Sequence, residues 1–354
     1  MDSAPRIDLH RHLEGSHSPR ALSEVAARHG IQDPLFFDAA AGRYRSPEEL
    51  TRALVMATPS DDATVFYECI KKARAAYVHL AAIEDLARLA FLEAATEADC
   101  FEMRVSLFSM TRTLLENQHV VWRDVPPTEF AGTHARAVLL ALFRARDAAQ
   151  AQTGQRMLMR LGFSRTFESE PHYRALADMA AEHARGFVGL DILGIVGGAD
   201  KEPLPAPLVS IVQGLRRHLP DLTIHAGEFE GHPSVDRTLD LDPQGIGHGV
   251  HSVESDATLA RLSRLGVTLE VCPSSNRLLI PTPLERLTRE RASHPLVVLQ
   301  RAHVHCVLGS DDPVPFGTSF QREHEVARAL GVDEARLASD TLRRWKQLEA
   351  RAAK

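Results

Sequence analysis

Eight short apolar segments, each followed by sequence of helical pattern, recur along this chain, and that alternation narrows its fold more than any other feature. They fall at residues 6–12, 100–107, 157–163, 187–193, 222–226, 245–248, 267–272 and 304–309. Helical patterns follow at about 128–152, 171–185, 206–218, 232–240, 255–264 and 283–291, and two more, at about 319–330 and 334–350, close the chain. Strand and helix in alternation imply parallel strands. Eight such units suggest an α/β fold of the closed (β/α)8 TIM barrel type. A doubly wound open sheet is the competing arrangement, but the Gly-rich nucleotide loops of that fold are missing. The chain reads as a single barrel domain over residues 1–354. Ahead of the second strand come a helix at 18–30, a loop-rich piece from Asp33 to about Ser46, and helical patterns at 48–57 and 62–96. The part from about 33 to 96 is expected as a helical insertion over the barrel mouth.

Barrel enzymes carry their chemistry at the C-terminal strand ends, and four strand ends here are rich in polar groups. The first ends His10-Arg11-His12-Leu13-Glu14. Two histidines at i and i+2 of a strand face the same side, so both imidazoles can reach one metal. Arg11 between them should point away. The fifth ends at His225, followed by Ala226-Gly227-Glu228, where the small residues leave room for a substrate. The sixth sets His248 between Gly247 and Gly249, with the more ambiguous His251 nearby. The eighth ends Ser310-Asp311-Asp312-Pro313. Adjacent carboxylates at an apolar strand end are costly unless paired with a cation or hydrogen-bonded. His10, His12, His225 and Asp311 together supply three nitrogens and one oxygen, a mix that suits Zn2+ and is open to other first-row metals. No lysine is placed at the fourth strand to bridge two metals, because Lys201 lies well past Leu193. One metal per chain is therefore expected.

Composition removes other classes of function. With 41 Lys and Arg against 47 Asp and Glu the formal net charge is −6, which argues against nucleic-acid or membrane-surface partners. The four cysteines, Cys69, Cys100, Cys272 and Cys306, show no CxxC spacing, which fits a reducing cytoplasm rather than a disulfide framework. The first residues lack a basic stretch followed by an apolar core, and no apolar run approaches the roughly 20 residues of a membrane span. A soluble, cytoplasmic protein is expected, and the sequence leaves the oligomeric state open, a homodimer included.

The set Asp8-Leu9-His10-Arg11-His12-Leu13-Glu14-Gly15-Ser16, His225-Ala226-Gly227-Glu228, Ile246-Gly247-His248-Gly249, Glu270-Val271-Cys272-Pro273-Ser274-Ser275-Asn276 and Ser310-Asp311-Asp312-Pro313 resembles the adenosine deaminase family of amidohydrolase barrels. Glu102-Met103-Arg104 is similar to the family's pattern on the second strand. The resemblance runs from residue 6 to about 320 with the motifs in the family's order. It implies that His10, His12, His225 and Asp311 hold one catalytic zinc. It sets Glu228 near the purine N1, His248 beside the attacking water and Asp312 near N7, with the Gly194 backbone N–H at N3. Asp311 would take a proton from the water, and Glu228 would donate one to the ring. Buried away from a cation, Glu228 would have the raised pKa that this requires.

The chain also departs from the family's pattern. Glu14 stands where the family usually has Asp, at a position tied to a ribose hydroxyl. After Gly194, where the family often carries an acidic residue, this chain has Ile195-Val196-Gly197-Gly198. The tail after Thr318 matches weakly. The metal end of the site thus fits the pattern better than the sugar end. The expected reaction is zinc-dependent hydrolytic deamination of a 6-aminopurine nucleoside, with adenosine or 2'-deoxyadenosine as substrate. The alternatives are aminodeoxyfutalosine, adenine or N6-methyl-AMP. Further off stand a hydrolase of another C–N or ester bond on the same barrel, and a binding protein without catalysis.

Overall fold

The structure, a computed structural model, describes residues 5–352. Eight parallel strands form one sheet in chain order: β1 (Ile7–His12), β2 (Cys100–Val105), β3 (Arg156–Ser164), β4 (Gly189–Leu193), β5 (Leu222–Ala226), β6 (Gly245–His248), β7 (Thr268–Val271) and β8 (His305–Leu308). The first and last strands meet just beyond their ends. The His12 N–H donates to the Asp311 carbonyl at 2.8 Å, and the Asp311 N–H donates to the His10 carbonyl at 2.7 Å. That bridge closes the (β/α)8 barrel at the end where the chemistry sits. The seam needs a bare backbone, because a Cβ on Gly309 would lie 2.3 Å from the His10 Cβ.

The strands alternate as a sheet covered on both faces must. Phe101, Met103 and Val105, Met159 and Leu161, Leu190 and Ile192, and Leu222 and Ile224 are buried against the helices. The residues between them meet inside the barrel, and many are charged. Arg160 on β3 bonds Glu102 on β2, and its Nη2 lies 2.9 Å from Asp221, just before β5. Asp221 also accepts from Arg344, at 2.7 Å, and from Arg351, both on the final helix Glu334–Ala352. Each buried charge here has opposite partners, the condition under which burial of ions is tolerated.

Several boundaries differ from the sequence expectation. The single helix expected at 62–96 is two, Thr64–Arg74 and Leu80–Glu97. The second starts at His79, whose Nδ1 accepts from the Ala82 N–H at 3.2 Å and so caps a new helix rather than continuing the old one. β2 stops at Val105, and residues expected to extend it begin the helix Leu107–Asn117, which the sequence reading missed. Its buried residues Leu107, Met110, Thr111, Leu114 and Leu115 follow a helical period that the apolar run of the strand ahead of it obscures. The short helices Pro273–Leu279 and Pro295–Arg301 were likewise unforeseen. Within residues 33–96, Leu80–Glu97 packs along the helix Arg136–Thr153 on the barrel's outer ring. Thr64–Arg74 instead sends Phe66, Tyr67, Ile70 and Arg74 to the wall of a cavity over the strand ends. Among the described residues, no helix is long and apolar enough to cross a membrane.

Candidate active site

The cavity over the C-terminal strand ends measures about 340 Å³. His12, Glu14, Gly194, His225, Glu228, His248, Asp311 and Asp312 line it, and His10 is fully buried beside them. The His12 Nε2 lies 3.3 Å from both the His10 Nε2 and the His225 Nε2. The Asp311 Oδ1 stands 3.7 Å from the first of these rings and 3.5 Å from the His12 ring.

The partners on the far side of the rings say which atoms carry protons. The His10 Nδ1 is 3.2 Å from the Glu270 Oε2, and the His225 Nδ1 is 3.1 Å from the Asp191 Oδ1. Each carboxylate takes an Nδ1–H, which leaves Nε2 with a bare lone pair aimed at its neighbours. Burial first, then the neighbouring cations and rings, hold His10 and His12 well below the usual histidine range, so neither ring is protonated. Lone pairs at this spacing repel unless a cation joins them. Nitrogens 2.0–2.1 Å from a zinc at tetrahedral corners stand roughly 3.3 Å apart, so the cluster fits such an ion.

Beneath the cluster lies a cation to which the sequence alone assigns no role. Arg104 on β2 is fully buried. Its Nη1 reaches Asp191 at 3.1 Å, and its Nη2 binds Glu270. One guanidinium therefore fixes both carboxylates that orient the histidines. The available signal was a charged residue in the middle of an apolar strand, in Leu190-Asp191-Ile192 and again in Leu269-Glu270-Val271. Arg11, by contrast, turns outward to Glu97 at 2.9 Å, as its position between two facing histidines requires.

A second group of side chains faces the same space. The His248 Nε2 lies 3.5 Å from Glu228 and 3.8 Å from Asp311. The Asn276 amide nitrogen is 3.1 Å from the His248 Nδ1, so it donates there and leaves the ring's proton on Nε2, turned to the cavity. His248 and Asp311 both have left-handed backbone, with φ of 61° and 59°. Non-glycine residues take that conformation at a cost, and such residues cluster at functional sites. Glu228 is pushed well above the usual carboxyl range, first by burial, then by the charges of Asp311 and Glu202. Asp312 is pushed up by burial and by Asp311 beside it. Both are shifted towards the protonated form, in which each could donate. Asp312 fits only because residue 15 is glycine, where a Cβ would fall 1.9 Å from its Oδ1. Glu14 is buried and raised, though Arg74 pulls it partly back.

The loop that carries Glu228 is held by a residue the sequence reading passed over. The Glu202 carboxylate accepts the backbone N–H groups of Gly227, Glu228 and Phe229 at 2.7, 2.9 and 2.8 Å. His251 and Lys201 lie outside the cavity, the first paired with Glu254 at 3.1 Å.

Comparison with known proteins adds to the geometry. The family model described as adenosine deaminase matches residues 5–347. A protein named aminodeoxyfutalosine deaminase, from Streptomyces coelicolor, is 32% identical over 352 residues, spanning 94% of this chain and 77% of its own. A shorter stretch of 118 residues is 46% identical to a protein named adenine deaminase from Agrobacterium fabrum, covering 33% of this chain and 34% of that one. In fold, the crystal structure of adenine deaminase from Arthrobacter aurescens superposes with a TM-score of 0.72 at 21% identity, over 99% of this chain and 98% of that one.

Proposed function

The chain belongs to the adenosine deaminase family of aminohydrolases, and on that premise we propose that it hydrolyses the 6-amino group of a purine nucleoside, with adenosine or 2'-deoxyadenosine as the default substrate and one zinc as cofactor. The observation that carries this reading is the convergence, at the floor of one cavity, of three histidine ring nitrogens and a carboxylate, with a buried glutamate of raised pKa beside them.

In the proposed mechanism His10, His12, His225 and Asp311 hold the metal. A zinc bound there would supply Lewis acidity and bring the pKa of a water towards about 7. The side chains do the rest. Asp311 accepts a proton from the attacking water, and the His248 Nε2–H steadies the oxygen as charge develops on it. Glu228 hands its proton to the ring nitrogen next to the carbon under attack, which becomes tetrahedral. Asp312, protonated, donates to the ring nitrogen on the other side, and the Gly194 N–H binds a third. Asp311 passes the proton it took from water to the amino group, the C–N bond breaks and ammonia leaves. The ring carbon keeps the oxygen, whose remaining proton restores Glu228.

The wall also carries Ser106, Ser109, Ser164 and Thr166 with Glu14, hydroxyls and a carboxyl that suit a sugar and favour a nucleoside over a free base. A second reading, aminodeoxyfutalosine, draws support from the relative of that name, which matches along nearly the whole chain. Ammonia release from the zinc-loaded protein with adenosine, 2'-deoxyadenosine, aminodeoxyfutalosine, adenine and N6-methyl-AMP tests the proposal. Turnover of a nucleoside supports it, and inertness towards all five would sink it.

Glu202 gives a finer test. Its charge helps to raise the Glu228 pKa, and activity requires Glu228 protonated. Glu202→Gln removes that charge, so the Glu228 pKa should fall and the alkaline limb of the kcat profile should move to lower pH. The variant also weakens three charge-assisted bonds to the loop, and a fall in kcat of about 10–100-fold is expected. An unmoved pH profile would limit Glu202 to a structural role.

A further inference from the structure

The seam between β4 and β5 gives up its backbone pairing at the mouth of the barrel. Leu190 and Ile192 stand opposite Leu222 and Ile224, and the Leu190 N–H donates to the Asp221 carbonyl at 2.8 Å. In a parallel ladder such bonds recur at every second residue. Continued to the strand ends, the pattern would send the Gly194 N–H to the His225 carbonyl and the Gly227 N–H to the Gly194 carbonyl. Neither bond is made among the described residues.

Side chains stand in for both. Arg165, buried just past β3, gives its Nη2 to the His225 carbonyl and its Nη1 to the Gly194 carbonyl, the latter at 2.8 Å. Glu202 accepts the Gly227 N–H at 2.7 Å. Buried backbone groups need partners, so these two side chains let the strands part without orphaning what the ladder leaves behind. Of the groups in the two unmade bonds, only the Gly194 N–H has no protein partner among the described residues.

The direction of that N–H is also set by residue 165. The Arg165 N–H donates to the Leu193 carbonyl at 2.9 Å. A trans peptide points its C=O and N–H opposite ways, so the Gly194 N–H on the same peptide is turned from β3 towards the parted seam. Gly194 itself lines the cavity.

We propose that Arg165 is a positioning residue: by occupying the His225 carbonyl it stops the Gly194 N–H from closing the ladder, and so keeps that donor free for a ring nitrogen of the substrate. The purine as ligand rests on the deaminase reading above, whereas the parted seam stands on the backbone alone.

Two measurements on the zinc-loaded protein test this. Glycine-selective NMR reads the seam with no purine present. The Gly194 amide should exchange at least about 10-fold more slowly in Arg165→Met than in the parent, because it then bonds His225. Calorimetric titration with inosine and 3-deazainosine, which has a C–H in place of N3, reads the consequence. The parent should prefer inosine by about 3–10-fold, the range of one neutral hydrogen bond. Arg165→Met should bring the ratio to one, and Arg165→Lys should restore part of it. If Arg165→Met does not fold, Arg165→Gln, whose shorter side chain withdraws the donors, takes its place with the same expected results. Slowed exchange without binding of either purine would overturn the deaminase reading and keep the seam. Unchanged exchange, equal affinity of the parent for both ligands, or a preference that survives in the variant while both ligands weaken alike would overturn the role of Arg165.

Discussion

His225→Ala is expected to yield a folded protein that no longer retains its metal, with activity reduced by at least about 10³-fold. His225 faces a cavity at the barrel mouth and not the apolar core, so its removal leaves the packing between strands and helices intact. What it removes is one of three ring nitrogens at 3.3 Å spacing, together with the acceptor role it gives Asp191. The magnitude follows because metal activation contributes several kcal/mol, and each 1.36 kcal/mol is tenfold in rate. Elemental analysis after dialysis checks the first part, and ammonia release the second. Thermal melts add an independent readout. A ligand that binds only the folded state stabilises it by mass action, so a chelator should lower the melting temperature of the parent protein and leave that of His225→Ala nearly unchanged. Full zinc occupancy in the variant would remove His225 from the ligand set.

Glu228→Gln should behave in the opposite way, keeping the metal while kcat falls about 10²–10⁴-fold, the usual contribution of a positioned acid. Glutamine has the shape of a protonated glutamate and can still offer an N–H to a ring nitrogen. It cannot transfer the proton. The loss is therefore expected in kcat with KM little changed, which separates proton transfer from substrate binding. The two variants together divide the site: one empties it, and the other leaves it full but idle. A fully active Glu228→Gln would end the assignment of Glu228 as the acid.

Much of the barrel could be read from the chain because its signal is local. A run such as Leu222-Thr223-Ile224 between helical stretches identifies itself within a few residues, and eight such runs suffice for the architecture. The missed helix Leu107–Asn117 shows the limit of that reading. An apolar strand running straight into an apolar helix offers no boundary until the helix has packed. The residues of the candidate site were legible for a related reason, since histidine and carboxylate at strand ends are unusual wherever they occur.

The support beneath them was not legible. Arg104 gathers Asp191 and Glu270 from strands far apart in the chain, and Glu202 reaches back to the loop of Glu228. Each residue looks ordinary in its own neighbourhood, and only closure of the barrel selects its partner.

The sequence by itself determined the repeating strand–helix plan and the kinds of groups carried at the strand ends. The tertiary structure alone decided their states: which histidine nitrogen faces its neighbours, which glutamate has its pKa raised, and the left-handed backbone of His248 and Asp311 at the cavity. The reason is physical. Protonation and tautomer depend on burial and on charges brought within a few ångströms, and neither exists until strands distant in the chain enclose one space.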